Sequence, residues 1–199
     1  MIAILDYGFG NLRSVQRAVE RVGGAPLVTR DPEEVARGDA LIVPGVGAFG
    51  ACVSNLRALG LDRVVREFAA TGRPLVGVCL GMQVLFEWGE EGPADGLGLL
   101  RGKVRRLPEG PTVPHMGWNE VTWIRDHPLV EGISSGTRFY FVHSYICDPD
   151  ADLTVGETHH GVGFPAVVSE GNLFATQFHP EKSGDAGLEI YRNLVKAAS

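Results

Sequence analysis

The first half of the chain contains four short apolar segments, and a segment with the periodicity of an α-helix follows the first of them. These four segments are predicted as strands: IAIL (2–5), PLVTR (26–30), ALIVPG (40–45) and PLVGVC (74–79). After the first strand, apolar residues recur at helical spacing: Leu12, Val15, Val19 and Val22. Repeated strand–helix units whose strands are apolar throughout predict a parallel sheet that is covered by helices on both faces.

The pattern changes after about residue 98. Short strand-like segments separated by Gly, Pro and Asp turns follow one another, including RFYFVHSY (138–145), until a last helical segment over 185–199. We therefore expect a three-layer α/β fold with a mixed, mostly parallel sheet, helices on both faces and antiparallel additions in the second half. Because no linker or repeat interrupts the sequence, residues 1–199 are predicted to form one domain.

Charge and composition exclude several classes of function. The net charge of −6 makes nucleic acid an unexpected partner, because a polyanion repels an acidic chain. No apolar run has membrane-spanning length and no basic leader precedes one, so we expect no membrane contact and a cytoplasmic location. The three cysteines form no CxxC pair, so neither a zinc site nor a disulfide scaffold is predicted, and no cofactor is expected.

Cys79 stands where the fourth strand passes into a predicted helix. Ligands of open α/β sheets bind at the carboxyl ends of the strands, so this position should face a crevice. The flanking Gly77 and Gly81 give the segment the form of a nucleophile elbow, and the N–H of Leu80 would then face a developing oxyanion. The alternative is that Cys79 is a buried small hydrophobic residue, which is common for free cysteine.

The segment HPE, residues 179 to 181, supplies a candidate base. Pro180 favours extended backbone at His179, so Glu181 can project to the same side and orient the imidazole. The alternative is an ordinary surface pair. His143 is the second candidate base, although no acid follows it at the matching offset, and His159 and His160 are expected to lie in an exposed turn.

Two glycine-rich loops resemble phosphate-binding loops only in part. DYGFGN (6–11) lacks the third glycine of a dinucleotide site, and PGVGAFG (44–50) lacks the Lys and Ser/Thr of a P-loop. Nucleotide binding is therefore not expected. Gly45 and Gly47 instead allow the second loop to approach Cys79 and to supply another oxyanion donor, the alternative being an ordinary turn.

GVCLGMQ (77–83) and FHPEKS (178–183) together resemble the class I, triad-type glutamine amidotransferases. Four further segments are similar to the glutaminase subunits of imidazole glycerol phosphate synthase, so that the resemblance spans essentially the whole chain: DYGFGNLRSV (6–15), PGVGAFGA (44–51), PHMGWNEV (114–121) and YFVHSY (140–145). The glutaminases of anthranilate synthase and GMP synthetase typically carry a PGP-type or PGG-type loop where this sequence has PGVG.

The resemblance implies hydrolysis of L-glutamine to glutamate and ammonia through a thioester on Cys79, with His179 as base and acid and Glu181 as its orienting partner. It implies an oxyanion site formed by backbone at Val46, Gly47 and Leu80. It also implies that glutamine is held by five residues: Gly47, Gln83, His143, Ser144 and Tyr145.

The same resemblance implies that ammonia passes to a cyclase subunit, which is a (β/α)₈ barrel. Asn11, Met116 and Trp118 resemble interface positions, with core packing as the alternative for the last two. Other functions stay open at this stage: the glutaminase subunit of another amidotransferase such as anthranilate synthase, a cysteine hydrolase on a related fold, or a binding module with an inert thiol.

Overall fold

The computed structural model describes residues 1–108, 112–150 and 152–199. The part before Val84 contains β1 (Ile2–Leu5), α1 (Leu12–Arg21), β2 (Pro26–Thr29), α2 (Pro32–Ala36), β3 (Ala40–Gly45), α3 (Phe49–Ala58), α4 (Leu61–Ala69), β4 (Leu75–Cys79) and α5 (Leu80–Gln83). The remainder contains β5 (Phe86–Gly89), β6 (Ala94–Asp95), β7 (Leu100–Arg106), β8 (His115–Trp123), β9 (Thr137–His143), β10 (Tyr145–Pro149), β11 (Thr154–His160), β12 (Val162–Glu170), β13 (Leu173–Thr176) and α6 (Gly184–Ala197). Within the described ranges, no helix combines the length and the apolar character that crossing a bilayer requires.

A nine-stranded sheet has the strand order β2-β1-β3-β4-β13-β12-β11-β8-β9. The strands from β2 to β13 in this order pair in parallel, and those from β13 to β9 pair antiparallel. The predicted mixed sheet with antiparallel additions in the second half is therefore confirmed. Because β4 and β13 are parallel neighbours, the chain segments that follow them leave the same edge of the sheet.

The side chains of the parallel strands alternate between two cores. In β3, Leu41 and Val43 pack with apolar residues of α2, α3 and α4, whereas Ala40 and Ile42 pack on the other face with α1 and α6. All four side chains are fully buried, and burial of a large apolar side chain contributes about 1.5–3 kcal/mol. This arrangement confirms the predicted three layers.

A second, four-stranded sheet with the order β10-β7-β5-β6 was not predicted. It packs on the same side of the large sheet as α3 and α4. The segment RFYFVHSY, predicted as one strand, divides at Ser144, because β9 pairs with β8 in the large sheet whereas β10 pairs with β7 in the small one. The Ser144 carbonyl accepts from the N–H of Leu107 at this division, at 2.9 Å.

The helix predicted after Cys79 is a single turn. Residues 80–86 are all buried, and the carbonyls of Val84 and Leu85 accept hydrogen bonds from backbone N–H groups of residues 97, 99 and 100. Since these acceptors are used by a neighbouring segment, the helix ends and the chain continues directly into β5. Its dipole is correspondingly small, so the helix terminus by itself stabilises a negative charge at Cys79 only weakly.

Candidate active site

Cys79 occupies a strained backbone position at the end of β4. Its backbone angles are φ 55° and ψ −108°. Among the residues that the structure describes, Cys79 alone has a positive φ without being glycine. Glycines make this turn possible: a Cβ at Gly81 would lie 1.8 Å from the Val43 carbonyl oxygen, and one at Gly45 would lie 2.6 Å from the Gly81 nitrogen. Strain of this kind persists where surrounding packing enforces it, which is typical of functional sites.

The elbow opens into a cavity of about 340 Å³. All but one of the predicted catalytic, oxyanion and substrate-binding residues line it: Val46, Gly47, Cys79, Leu80, Gln83, His143, Ser144, Tyr145 and His179. A cavity of this size suits a small-molecule substrate. Cys79 thus differs from Cys52 and Cys147, which are buried away from the cavity and whose pKa values are raised by burial, to about 12 for Cys52.

Glu181, the remaining predicted catalytic residue, lies behind His179. Its Oε1 is 2.8 Å from His179 Nδ1, and both side chains are almost completely buried. The backbone holds the imidazole in place, because the N–H of His179 donates to the Tyr140 carbonyl at 2.9 Å and its carbonyl accepts from the Ser183 hydroxyl at 2.6 Å. His179 Nε2 has no hydrogen-bond partner within the described ranges, so it is free to exchange protons with a substrate.

Opposing effects set the charge of His179. Burial by itself lowers the pKa of the imidazole, but the negative charges of Cys79 and Glu181 outweigh it and raise the pKa to about 10. At neutral pH the imidazole of His179 therefore carries its proton. A cationic imidazole beside a cysteine is the arrangement that makes a thiol a ready nucleophile.

His143, the second candidate base, has a different environment. Its Nδ1 lies 2.9 Å from the Tyr145 carbonyl oxygen and its Nε2 lies 2.9 Å from His115 Nδ1. Burial lowers the pKa of His143 to about 3 and that of His115 to about 4, so both rings are neutral at pH 7. Because both nitrogens of His143 are already hydrogen-bonded and no carboxylate orients it, the geometry favours His179 as the base.

The two remaining adjacent histidines do not lie in a turn. His159 and His160 end strand β11, and the His160 ring stacks on His115 with the ring centroids 4.2 Å apart. The expected turn is therefore wrong, although His159 is exposed as expected and His160 is partly exposed. The pair follows the strand pattern because β12 continues the ladder opposite both residues.

Sequence reasoning missed four residues of the site. Glu91, Pro114 and Val142 line the cavity, and the Nε2 of the buried Gln177 lies 3.7 Å from Cys79 Sγ. Glu91 was not identifiable from its neighbours in sequence, since it reaches the cavity from the segment after β5. Gln177 precedes His179 by two residues, but the chain bends at residues 177 and 178 after the end of β13, so strand alternation does not place its side chain.

The predicted interface residues lie outside the cavity. The Met116 and Trp118 side chains, on β8, are 66% and 54% exposed, so the core-packing alternative is wrong for both. The Trp118 ring packs edge-on against Tyr140 at 6.1 Å, next to the carbonyl that holds His179. Asn11, partly exposed, is the N-cap residue of α1, although its side chain makes no cap hydrogen bond.

The site has parts that acyl transfer requires: a nucleophile on a strained turn and an imidazole oriented by a carboxylate, with residues of a loop and an elbow lining the same cavity. The roles of these residues stay predictions.

Comparison with known proteins identifies the family whose members are similar to this sequence. Residues 3–198 match the model of the family "Glutamine amidotransferase class-I". The chain is 50% identical to imidazole glycerol phosphate synthase subunit HisH of Moorella thermoacetica, over 97% of this chain and 93% of the relative. It is also 50% identical to the HisH subunit of Mycolicibacterium paratuberculosis, over 98% and 97% of the two chains.

Solved structures agree on the fold. A crystal structure of a glutamine amidotransferase superposes with a TM-score of 0.78 at 24% identity, covering 99% of this chain and 98% of the other. The structure of PurLQS from Thermotoga maritima gives a TM-score of 0.76 at 19% identity, with 98% and 97% coverage. The chain therefore belongs to the class-I glutamine amidotransferase family and, within it, to the HisH subunits of imidazole glycerol phosphate synthase.

Proposed function

We propose that residues 1–199 form a single glutaminase domain, which hydrolyses L-glutamine to glutamate and ammonia for imidazole glycerol phosphate synthase. The observation that carries this proposal is the meeting of Cys79 and His179 in one cavity, with Glu181 bonded to the far side of the imidazole. The names of the relatives support the assignment to histidine biosynthesis.

In the first half of the reaction, the Cys79 thiolate attacks the side-chain amide carbon of glutamine. The carbonyl electron pair moves onto oxygen, where the backbone N–H of Leu80 and the loop at Val46 and Gly47 stabilise it; one such donor contributes about 3 kcal/mol or more. His179 Nε2 then gives its proton to the amide nitrogen. The carbon–nitrogen bond breaks, ammonia leaves and a thioester remains on Cys79.

In the second half of the reaction, water hydrolyses the thioester on Cys79. His179, now neutral, takes a proton from water as the water oxygen attacks the thioester carbon. The carbon–sulfur bond breaks, glutamate leaves, and the thiolate and the imidazolium are restored. Glu181 holds the imidazole in the orientation that presents Nε2 to the cavity.

The cavity wall supplies groups for both ends of glutamine. Glu91 is the carboxylate that lines the cavity, and it suits the α-ammonium group of the substrate. The remaining binding positions are those of the loop, the elbow and the segment between β9 and β10: Gly47, Gln83, His143, Ser144 and Tyr145. The Nε2 of Gln83 already donates to Tyr145 and Gln177, which leaves its Oε1 for a ligand.

The partner in this proposal is the cyclase subunit, a (β/α)₈ barrel. The exposed Met116 and Trp118 provide an apolar contact surface on β8, and Asn11 belongs to the same proposed interface. The acidic chain is consistent with this division of labour, because the phosphorylated substrate of the cyclase would bind to the partner.

Replacement of the nucleophile in the assembled synthase tests the proposal. The variant Cys79→Ala should abolish cyclase product formation from glutamine and leave the formation from added ammonia nearly unchanged, because only the ammonia source is lost. The matched control is Cys52→Ala, which removes a thiol buried outside the cavity and should retain turnover with glutamine. Equal loss of both activities in Cys79→Ala would contradict the proposal.

A further inference from the structure

Gln177 is a buried polar residue that the mechanism above does not use. Its side chain has no exposed surface, and it lies between the end of β13 and His179. Its Nε2 is 3.7 Å from Cys79 Sγ, within reach of an N–H···S hydrogen bond given the large radius of sulfur. The identity of the group facing the sulfur matters, because an amide nitrogen donates to a thiolate whereas an amide oxygen repels it.

A backbone carbonyl fixes this orientation. The Tyr145 carbonyl oxygen can only accept, so the amide group of Gln83 that lies 3.1 Å from it must be the NH₂. The same Nε2 lies 3.1 Å from Gln177, which must therefore present its oxygen to Gln83. The NH₂ of Gln177 is consequently directed at Cys79, and a flipped amide would place two oxygens or two NH₂ groups together.

The Tyr145 carbonyl is held from its other side as well. It accepts from His143 Nδ1, which leaves His143 Nε2 as an acceptor for the Nδ1–H of His115. His115 Nε2 in turn accepts from the side-chain amide of Asn119 at 3.1 Å. Every donor in this network is thus assigned: His143 and Gln83 both donate to the Tyr145 carbonyl, and the other N–H of Gln83 leads through Gln177 to the sulfur of the elbow.

We propose that Gln177 is a further catalytic residue of the glutaminase reaction, whose side-chain N–H binds the Cys79 thiolate and holds the sulfur in position for attack. This proposal rests on the proposed function and adds a residue to it. A hydrogen bond to the charged form of an acid favours that form, so the donor increases the fraction of reactive thiolate at neutral pH. The chain of hydrogen bonds through Gln83 keeps the donor pointed at the sulfur when substrate is absent.

Other ionisable groups around Cys79 are accounted for. His179, His143 and Glu91 line the same cavity, and burial raises the pKa values of the nearby Tyr7 and Cys147. His179 is the cationic partner, and it stays in place when Gln177 is replaced. A change in thiol ionisation in a Gln177 variant therefore reports the amide donor and not the imidazole.

The experiment measures how fast iodoacetamide alkylates Cys79 as a function of pH, with the site of modification identified by peptide mapping. Gln177→Met keeps the length of the side chain and removes the donor. We expect the midpoint of the alkylation profile to rise by about half a pH unit, a threefold smaller ratio of thiolate to thiol below the midpoint. The control Thr158→Val removes another buried polar group that lies outside the cavity, and it should leave the midpoint unchanged.

If Gln177→Met does not fold, Gln177→Asn provides the second test, because a shorter amide bonded to Gln83 withdraws its N–H from the sulfur. The same upward shift is expected. An unchanged or lowered midpoint in a folded variant overturns the proposal. Alkylation needs no glutamine turnover, so failure here is distinguishable from failure of the Cys79→Ala experiment on the synthase.

Discussion

His179 and His143 face the same cavity, but one imidazole is protonated at neutral pH and the other is neutral. Both side chains are close to fully buried, with 1% and 6% exposure. Yet the pKa of His179 is raised to about 10 and that of His143 is lowered to about 3. The two rings therefore differ at neutral pH by a whole charge, and burial cannot be the reason.

The groups next to each ring explain the difference. Burial lowers the pKa of both imidazoles, but His179 has the carboxylate of Glu181 on one side and the thiol of Cys79 on the other. His143 has a backbone carbonyl and the neutral ring of His115. A buried imidazole next to an anion keeps its proton, and one among neutral acceptors loses it. The comparison shows that a catalytic base is recognised by the charge of the group that contacts its second ring nitrogen, and not by its burial.

Removing the carboxylate behind His179 should have the largest effect, and we expect that effect on catalysis. Glu181→Gln removes the anion behind His179, so the imidazole loses both its orienting partner and part of its preference for the charged form. We expect kcat/KM for glutamine to fall by about ten-thousandfold, as when a triad imidazole loses its carboxylate. The basic limb of the pH–rate profile should also move to lower pH, because loss of Glu181 lowers the pKa of His179.

A matched substitution makes this result specific. Glu67→Gln removes the carboxylate of an exposed ion pair with Arg63 on α4, far in sequence from the cavity residues. Exposed pairs contribute little, so turnover should not change. A Glu181→Gln enzyme with wild-type kcat/KM and an unmoved basic limb would show that the carboxylate is not needed behind His179.

A smaller effect is expected on stability in acid. Burial lowers the pKa values of His115 and His143 to about 4 and about 3, so the unfolded chain binds more protons than the folded chain below about pH 6.5. Stability must therefore decrease as the pH falls from 6.5 to 4, by roughly 5 kcal/mol from these two rings. The stabilisation from His179 is fully present throughout this range, because its pKa is raised, and it adds no slope.

Urea unfolding at pH 6.5, 5 and 4 measures this decrease. The variant His143→Asn retains an amide donor for the Tyr145 carbonyl and has no ring to protonate, so its stability should fall less steeply with acid. A slope equal to that of the wild-type protein would contradict the assignment of a depressed pKa to His143.

Much of the catalytic arrangement was predictable because its signals are local. The glycines around Cys79 and the proline after His179 act on backbone within two residues, and the alternation of apolar segments defines the parallel strands. Glu181 reaches His179 by a different route from the one expected: the backbone is extended at His179, but Pro180–Lys182 form a short 3₁₀ helix whose turn brings the carboxylate to the imidazole.

The rest depends on tertiary contacts. The small sheet forms because β7 pairs with both β5 and β10, which no local pattern specifies, and this pairing divides RFYFVHSY at Ser144. The one-turn length of α5 follows from acceptors used by residues 97–100. The neutral pair of His143 and His115 requires β8 and β9 to be in register, so neither the pair nor its low pKa values could be read from spacing.

Labelling with a chloromethyl ketone analogue of glutamine tests the central claim most directly, since it reports the nucleophile and its base together. We predict that the reagent modifies Cys79 and leaves Cys52 and Cys147 unmodified, that His179→Asn slows the reaction by about a hundredfold or more, and that His143→Asn slows it by less than about tenfold. Modification of Cys52 or Cys147 instead, or a slower reaction in His143→Asn than in His179→Asn, would contradict the account.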